Sequence, residues 1–317
     1  MKIVQIIGGL GNQMFQYAFY KALQSHYKDV EIDTSLFSCY KLHNGFELAK
    51  IFGVQFKEAS LLKRMQLSFH GGDILSRILK KVIQQRNTEC IEEYLKYDKR
   101  VLDNSSNLYY IGYWQSYKYF SSIESELRKI FTFPNSIIDN YNKNLSDVIL
   151  SSNSVSLHIR RGDYVGNSIY ENIATLDYYQ RALDYMDKNV LNMKLFLFSN
   201  DVEWCLNNLN LKNCTVVSHN TGTNSFWDMY LMSSCKHNII ANSSFSWWGA
   251  WLNMNPDKKV FYPSPWFGPH YSHYDTSDLC PNSWIPLPNR TPLRYQLKSI
   301  WIRLAMKVRH RLEKSKR

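Results

Sequence analysis

The residues best equipped for chemistry are His158 to Asp163, reading His-Ile-Arg-Arg-Gly-Asp. Val155, Leu157 and Ile159 recur at every second position, the period of a half-buried strand. Ser156, His158 and Arg160 then share the opposite face, and Gly162 lets the chain turn away. In an open α/β sheet, ligands bind beyond the carboxyl ends of the strands. Arg160 and Arg161 at such an end present planar, permanently charged forks suited to phosphate oxygens. A solvated turn is the competing reading, since arginines are mostly exposed.

Two further strand ends carry related chemistry. The apolar run 237–241 leads into Asn242, Ser243, Ser244, Phe245 and Ser246, after which a helix is predicted over 247–253. Backbone N–H groups at a helix start attract anions, and small hydroxyl residues add donors. Ordinary capping by Ser244 or Ser246 competes with that reading. The strand 194–198 ends in Ser199, Asn200 and Asp201, and Asp201 either accepts from ribose hydroxyls or a base, or caps the helix at 202. Asp228, in a predicted helix 226–234, is suited to the N1–H and exocyclic amine of guanine, or is a helix-face carboxylate. Arginines, a phosphate-ready helix start and two carboxylates at one sheet edge compose a nucleotide-diphosphate site.

These residues need elements to hold them. Residues 2–7 read as a buried strand, 8–13 (Gly-Gly-Leu-Gly-Asn-Gln) as a tight loop, 14–25 as a helix and 30–33 as a strand. This is the opening of a Rossmann-like unit. A dinucleotide site is its rival: Gly9 and Gly11 fit the first two glycines and Asp33 the ribose acid. Met14 occupies the third glycine position, and no Walker lysine follows. The stretch 34–100 is mainly helical and polar, with clear runs at 61–67 and 74–83. A strand at 108–112 and helices at 121–131 and 137–150 follow. The polar run 151–154 marks a domain boundary. Strands and helices then alternate, which calls for a parallel sheet and a second Rossmann-like domain. The expected division is 1–150, 151–290 and a basic tail, 291–317.

Composition bounds the function. The chain has 317 residues, 44% of them hydrophobic and 15% aromatic, enough for two ordinary cores. Six scattered cysteines form no Cys-x-x-Cys pair and read as reduced thiols. There is no Asp-x-Asp to hold a divalent ion against a nucleotide diphosphate, so no metal or other cofactor is expected. Eight basic residues between Lys298 and Arg317 face Glu313 alone, so +7 of the +11 net charge lies in the last twenty residues. A nucleic-acid binder would show a broad basic face instead. The chain opens as a strand, with no signal sequence and no apolar run of about 18 residues. The expected location is the cytoplasm.

The motifs GGLGNQMFQYAF (8–19), GYWQSYKYF (112–120), HIRRGDYV (158–165) and IIANSSFSWWGAWLN (239–253) together resemble the α-1,2-fucosyltransferases of glycosyltransferase family 11. The resemblance spans about residues 3–270. It implies an α/β fold of the GT-B type, two Rossmann-like domains facing across a cleft, with the donor mainly in the C-terminal one. It implies transfer of L-fucose from GDP-fucose to the 2-hydroxyl of a galactose-terminated glycan acceptor, with inversion and without metal. Carried over by motif, Arg160 holds the β-phosphate with Arg161 in support, Ser244 and Phe245 meet the phosphates, and Asp228 reads guanine. Asn12 resembles the asparagine of the Gly-Asn loop in protein O-fucosyltransferases, which approaches the pyrophosphate and sugar from the acceptor side. Gly9, Gly11, Asp201, Asn242, Ser243 and Ser246 complete the expected donor-binding set. Asp163 and His158 are both candidates for the base. Family members often carry Ser-Asp-Asp where this chain has Ser199, Asn200 and Asp201, so Asn200 receives no catalytic role.

GDP-mannose as donor and a non-catalytic glycan-binding protein are the alternatives to the fucosyltransferase reading. In the tail, Leu297, Ile300, Trp301, Leu304, Met306, Val308 and Leu312 lie among the basic residues. A helix with that pattern either lies on an anionic membrane surface, peripheral to the inner face of the cytoplasmic membrane and beside lipid-linked O-antigen acceptors, or packs on the body.

Overall fold

A computed structural model describes residues 1–289 apart from Lys41, Gln84, Gln85, Tyr94, Val165, Ser168, Glu171, Asn172, Pro269, His270 and Ser272. The basic tail, and with it the expected membrane contact, lies outside the described residues. The chain divides into two compact units. The first comprises 1–144, 220–230 and 275–281, the second 145–219, 231–274 and 282–317. The division therefore falls six residues before the polar run, inside a helix, and the first unit reclaims two later segments. Asn153 and Ser154 begin a strand, which is why that polar run is no linker.

In the first unit the elements run β1 (Lys2–Gln5), α1 (Leu10–His26), β2 (Val30–Asp33), α2 (Leu48–Phe52), α3 (Leu61–Leu67), α4 (Ile74–Val82), β3 (Glu89–Ile91), α5 (Lys99–Asp103), β4 (Leu108–Ile111) and α6 (Glu124–Ile130), with α7 (Asn140–Leu150) closing it. The four strands are parallel, in the order β2-β1-β4-β3. Helix α1 starts four residues earlier than its apolar period suggests, because Leu10, Gly11 and Gln13 are buried with it. The expected single helix over 121–131 is a short 3₁₀ turn, Ser121–Ile123, followed by α6. Strand β3 was hidden in the polar stretch, since three residues show no period. Asp33 is buried and committed: it accepts from Tyr109 Oη (2.5 Å), from Arg64 Nη1 (3.2 Å) and from the Ser35 N–H (2.8 Å). Buried at 1% exposure and held by these three bonds, it is not presented to a ribose, which argues against the dinucleotide reading.

The second unit runs β5 (Asn153–Ile159), α8 (Leu176–Asn189), β6 (Met193–Ser199), α9 (Val202–Asn208), β7 (Cys214–Val217), the last turn of α10 (Phe226–Ser234, which begins in the first unit), β8 (His237–Ile239), α11 (Ser244–Leu252), β9 (Val260–Ser264) and β10 (Ile285–Pro288). Its six strands are all parallel, in the order β10-β9-β8-β5-β6-β7. Counted within the unit, that is the 3-2-1-4-5-6 order of a doubly wound dinucleotide-type sheet. Pro286 and Pro288 fit because β10 is an edge strand, where a missing N–H is tolerated.

Strand β5 corrects the half-buried expectation, because both its faces are covered. Val155, Leu157 and Ile159 pack with Tyr178, Ala182 and Met186 of α8 and with Cys205 of α9. On the other face Asn238 Nδ2 donates to Ser156 Oγ (2.7 Å) and to the Met232 carbonyl (2.8 Å), and Asn253 Nδ2 donates to Asn238 Oδ1 (2.8 Å). A central strand of a parallel sheet is enclosed on both sides, so its polar residues must find protein partners. Helix α8 is specified locally: Thr175 caps it by accepting the Tyr178 N–H, and Asp177 and Lys188 complement its dipole.

Candidate active site

In a doubly wound sheet the crevice opens where the strand order reverses, at the carboxyl ends of the two flanking strands. Here those strands are β5 and β8, and they end in Arg160 and in Asn242–Ser243. The tertiary structure thus brings together the arginine motif and the serine turn, which lie some eighty residues apart.

The two arginines are held differently. Arg161 Nε donates to Asp201 Oδ2 (3.1 Å), and its guanidinium lies 3.9 Å from the Trp204 ring centroid. Asp201 also caps α9 through the Trp204 N–H (3.2 Å). Asp201 is therefore both a cap and an ion-pair partner for Arg161, and its expected role toward ribose or base competes with two existing bonds. Arg160 instead sits 5.3 Å over the Tyr164 ring, a cation–π contact that orients the guanidinium. The Tyr164 hydroxyl donates to the Asn242 carbonyl (3.2 Å), and its ring stacks on Tyr170 (4.6 Å). Tyr164 thus ties the arginine loop to the serine turn.

Asn200 fixes the arginine loop. Its Oδ1 accepts the N–H groups of Arg161 (2.9 Å) and Gly162 (3.4 Å). A Cβ at Gly162 would meet Asn200 Nδ2 at 2.7 Å, so any larger residue there must push the Asn200 amide aside. Sequence reasoning set Asn200 aside on grounds of charge and missed this positioning role. The side chain of Asp163 lies outside the described residues.

The start of α11 is not capped by Ser244 or Ser246. Ser243 is the N-cap residue, and it makes no side-chain bond to the first-turn N–H groups. Ser246 Oγ donates back to the Ser243 carbonyl (3.4 Å), and Asn242 Nδ2 donates to the Trp266 carbonyl (3.3 Å). Buried Trp247, Trp248 and Trp251 fasten the helix to the body. The result is a rigid helix start whose N–H groups lack a side-chain cap, a form suited to an anion.

His158 is 8% exposed, its Nδ1 has no hydrogen-bond partner among the described residues, and its ring lies 6.1 Å from that of Phe245. Burial, with Arg160 nearby, pushes its pKa down to about 3. A neutral imidazole with so little proton affinity is a poor base near pH 7; packing beneath Phe245 and Arg160 describes it better.

The first unit carries its own switch point, between β1 and β4. Gly8 adopts φ +94° there, and the glycine loop runs straight into α1 with Gly9 as N-cap and Gly11 in the first turn. Asn12 Oδ1 accepts from Gln115 Nε2 (2.9 Å), and Gln16 Nε2 donates to the Gly112 carbonyl (2.9 Å). The motifs at 8–19 and 112–120 are therefore one constellation. Glu92 supports it by accepting the N–H groups of Tyr113 (2.7 Å) and Trp114 (2.9 Å). Trp114, at φ +53°, is held in that strained conformation by stacking on Phe19 (4.4 Å). Burial pushes Glu92 up to about 7. Neither Gln115 nor Glu92 was assigned a role from the sequence; Gln115 lies within the 112–120 motif, whereas Glu92, twenty residues before Gly112, carried no signal.

Asp228 belongs to the first unit rather than the C-terminal domain expected for it. Its Oδ1 accepts from Asn220 Nδ2 (2.8 Å), and Asn220 exchanges amide bonds with Asn142 (2.8 and 2.9 Å). Burial pushes its pKa up to about 7.

The sequence model of Glycosyl transferase family 11 matches residues 1–266, most of the chain. The chain belongs to glycosyltransferase family 11. An α-1,2-colitosyltransferase of Escherichia coli is similar to it at 35% identity over 290 residues, 89% of this chain and 97% of the relative. The O-antigen biosynthesis glycosyltransferase WbnK of Escherichia coli is 34% identical over 309 residues, covering 88% and 98%. Galactoside α-(1,2)-fucosyltransferase 2 of Hylobates lar is 23% identical over 303 residues, covering 89% and 81%. In this family 11 glycosyltransferase, the 1–266 match takes in both switch points and ends before the tail.

Proposed function

We propose that this glycosyltransferase moves L-fucose from GDP-β-L-fucose to the 2-hydroxyl of a galactose in a glycan, with inversion and without a metal ion. The observation that carries this reading is the pairing of Arg160 with the α11 start at the second unit's switch point. Cleavage of the glycosyl–phosphate bond leaves negative charge on the diphosphate. Arg160 supplies a fixed cation, and the Ser244–Ser246 N–H groups supply oriented dipoles; one such preorganised donor is typically worth roughly 3 kcal/mol. Asn12, oriented by Gln115, is assigned to the same diphosphate by the family resemblance. Asp228 is assigned to guanine, whose N1–H and amine suit a buried carboxylate. The acceptor hydroxyl attacks the carbon bearing the diphosphate, its proton passing to a base or to water, in a single inverting displacement.

A colitosyl donor is the second reading, favoured by the relative of that name at 35% identity. The two differ in the transferred sugar. Incubating the purified chain with GDP-fucose, a panel of β-galactosides and EDTA, followed by linkage analysis, tests the proposal. A Fuc-α-1,2-Gal product that Arg160→Ala abolishes is the expected result. GDP binding without transfer or hydrolysis of GDP-fucose turns the reading to another donor, colitosyl or GDP-mannose. No GDP binding defeats the nucleotide site itself.

A further inference from the structure

Helix α4 faces the wrong way for an ordinary surface helix. Such a helix hides its apolar stripe against the core. In α4 the buried residue is Ser76, while Ile74, Ile78 and Val82 are 75%, 55% and 80% exposed. At 100° per residue, Ile74, Leu75, Ile78 and Val82 fall within one arc of about 100°. Arg77, Lys80 and Lys81, all exposed, fill the adjoining arc, and the helix contains no acid. The arrangement is anchored. The Asp73 carboxylate accepts from the Ser76 N–H and Oγ (both 2.8 Å) and lies 3.6 Å from Arg64 Nη1.

We infer that α4 seats this chain on an anionic phospholipid surface, with its aliphatic arc among the acyl chains and Arg77, Lys80 and Lys81 against the lipid phosphates. A short helix with bulky aliphatics on one side and cations beside them has the pattern of an interfacial helix. The charge argues against a second copy of the chain, because a twofold contact through α4 would bring six cations together. This contact uses no residue of the tail or of the nucleotide site, and it would hold the enzyme where acceptors attached to lipid are found.

The test is flotation of the full chain with vesicles of phosphatidylglycerol in phosphatidylcholine, against phosphatidylcholine alone. Two triple variants are compared, I74S/I78S/V82S and R77Q/K80Q/K81Q, with thermal unfolding to confirm that both fold. The expected result is flotation only with the anionic vesicles, weakening as salt rises. The cation variant should lose roughly a hundred-fold in partition, at about five-fold per charge, and the aliphatic variant at least ten-fold. A wild-type chain that stays in solution overturns the inference. So do triple variants that float unchanged, which would move the contact to residues 298–317 and be checked by deleting them. A dimer that the aliphatic variant dissociates, with flotation unaltered, would put a second copy on the face instead.

Discussion

At the scale of single residues, neighbours in sequence have unlike roles. Arg161 is held by Asp201 and Trp204, whereas Arg160 is oriented by the face of Tyr164. Arg160→Lys keeps the charge and loses the planar fork, so transfer should fall about ten- to a hundred-fold with folding intact, as read by kcat/KM and melting temperature. Gly162→Ala forces Asn200 off the loop it pins. We expect a loss of about 1–2 kcal/mol in stability, and much less when Asn200 is already alanine, so a double-mutant cycle in denaturant reads the coupling directly. Asp228 and Glu92 both titrate at about 7, well above the ordinary carboxylate range. The folded chain therefore holds more protons than the unfolded chain between pH about 4 and about 7. Stability should fall as pH rises through that window, by up to about 1.4 kcal/mol per pH unit for each group. Asp228→Asn should flatten the slope, measured by urea unfolding from pH 5 to 7.5.

At the scale of elements, α11 and the strand before it form the proposed anion site, and its weak point is the unused cap. Ser243→Asp would place a carboxylate where the first-turn N–H groups now lack a side-chain partner. The helix should gain about 0.5–1 kcal/mol while affinity for GDP drops at least ten-fold, because the new carboxylate occupies the anion position. Melting curves with and without GDP separate the two effects, and unchanged GDP affinity would place the phosphates elsewhere. The alternation of apolar strands and amphipathic helices made most second-unit elements legible: 226–234 is a helix over the residues its period predicts. Strands β3 and β9 and edge strand β10 were not legible, being too short or broken by proline for a periodic signal. Helix α4 was legible as a helix, yet its period says nothing about which way it faces.

At the scale of the whole molecule, a ligand that binds only the folded chain raises its stability by mass action. GDP at a hundred times its dissociation constant should add about 2.7 kcal/mol, a rise of several degrees in melting temperature. Arg160→Ala and Asp228→Asn should each shrink that rise, the first through phosphate and the second through guanine. An Asp228→Asn variant with the full GDP shift would remove guanine recognition from that residue. Asp228 lies in the first unit although α10 continues into the second, and the division runs through α7 as well. A linear boundary between the halves was therefore out of reach of composition.

The sequence alone determined most of the element types, the parallel character of the second sheet and the four motifs that mark the family. Those are local properties, set by period, turn residues and short strings. The tertiary structure decided the rest through long-range contact. It gave Asp33 and Asp201 protein partners, depressed His158 by burial, and showed Asn200 and Glu92 as supports of the loops beside them. Whether a charged or amide side chain is available to a ligand depends on which neighbours reach it first, and those neighbours are distant in the chain.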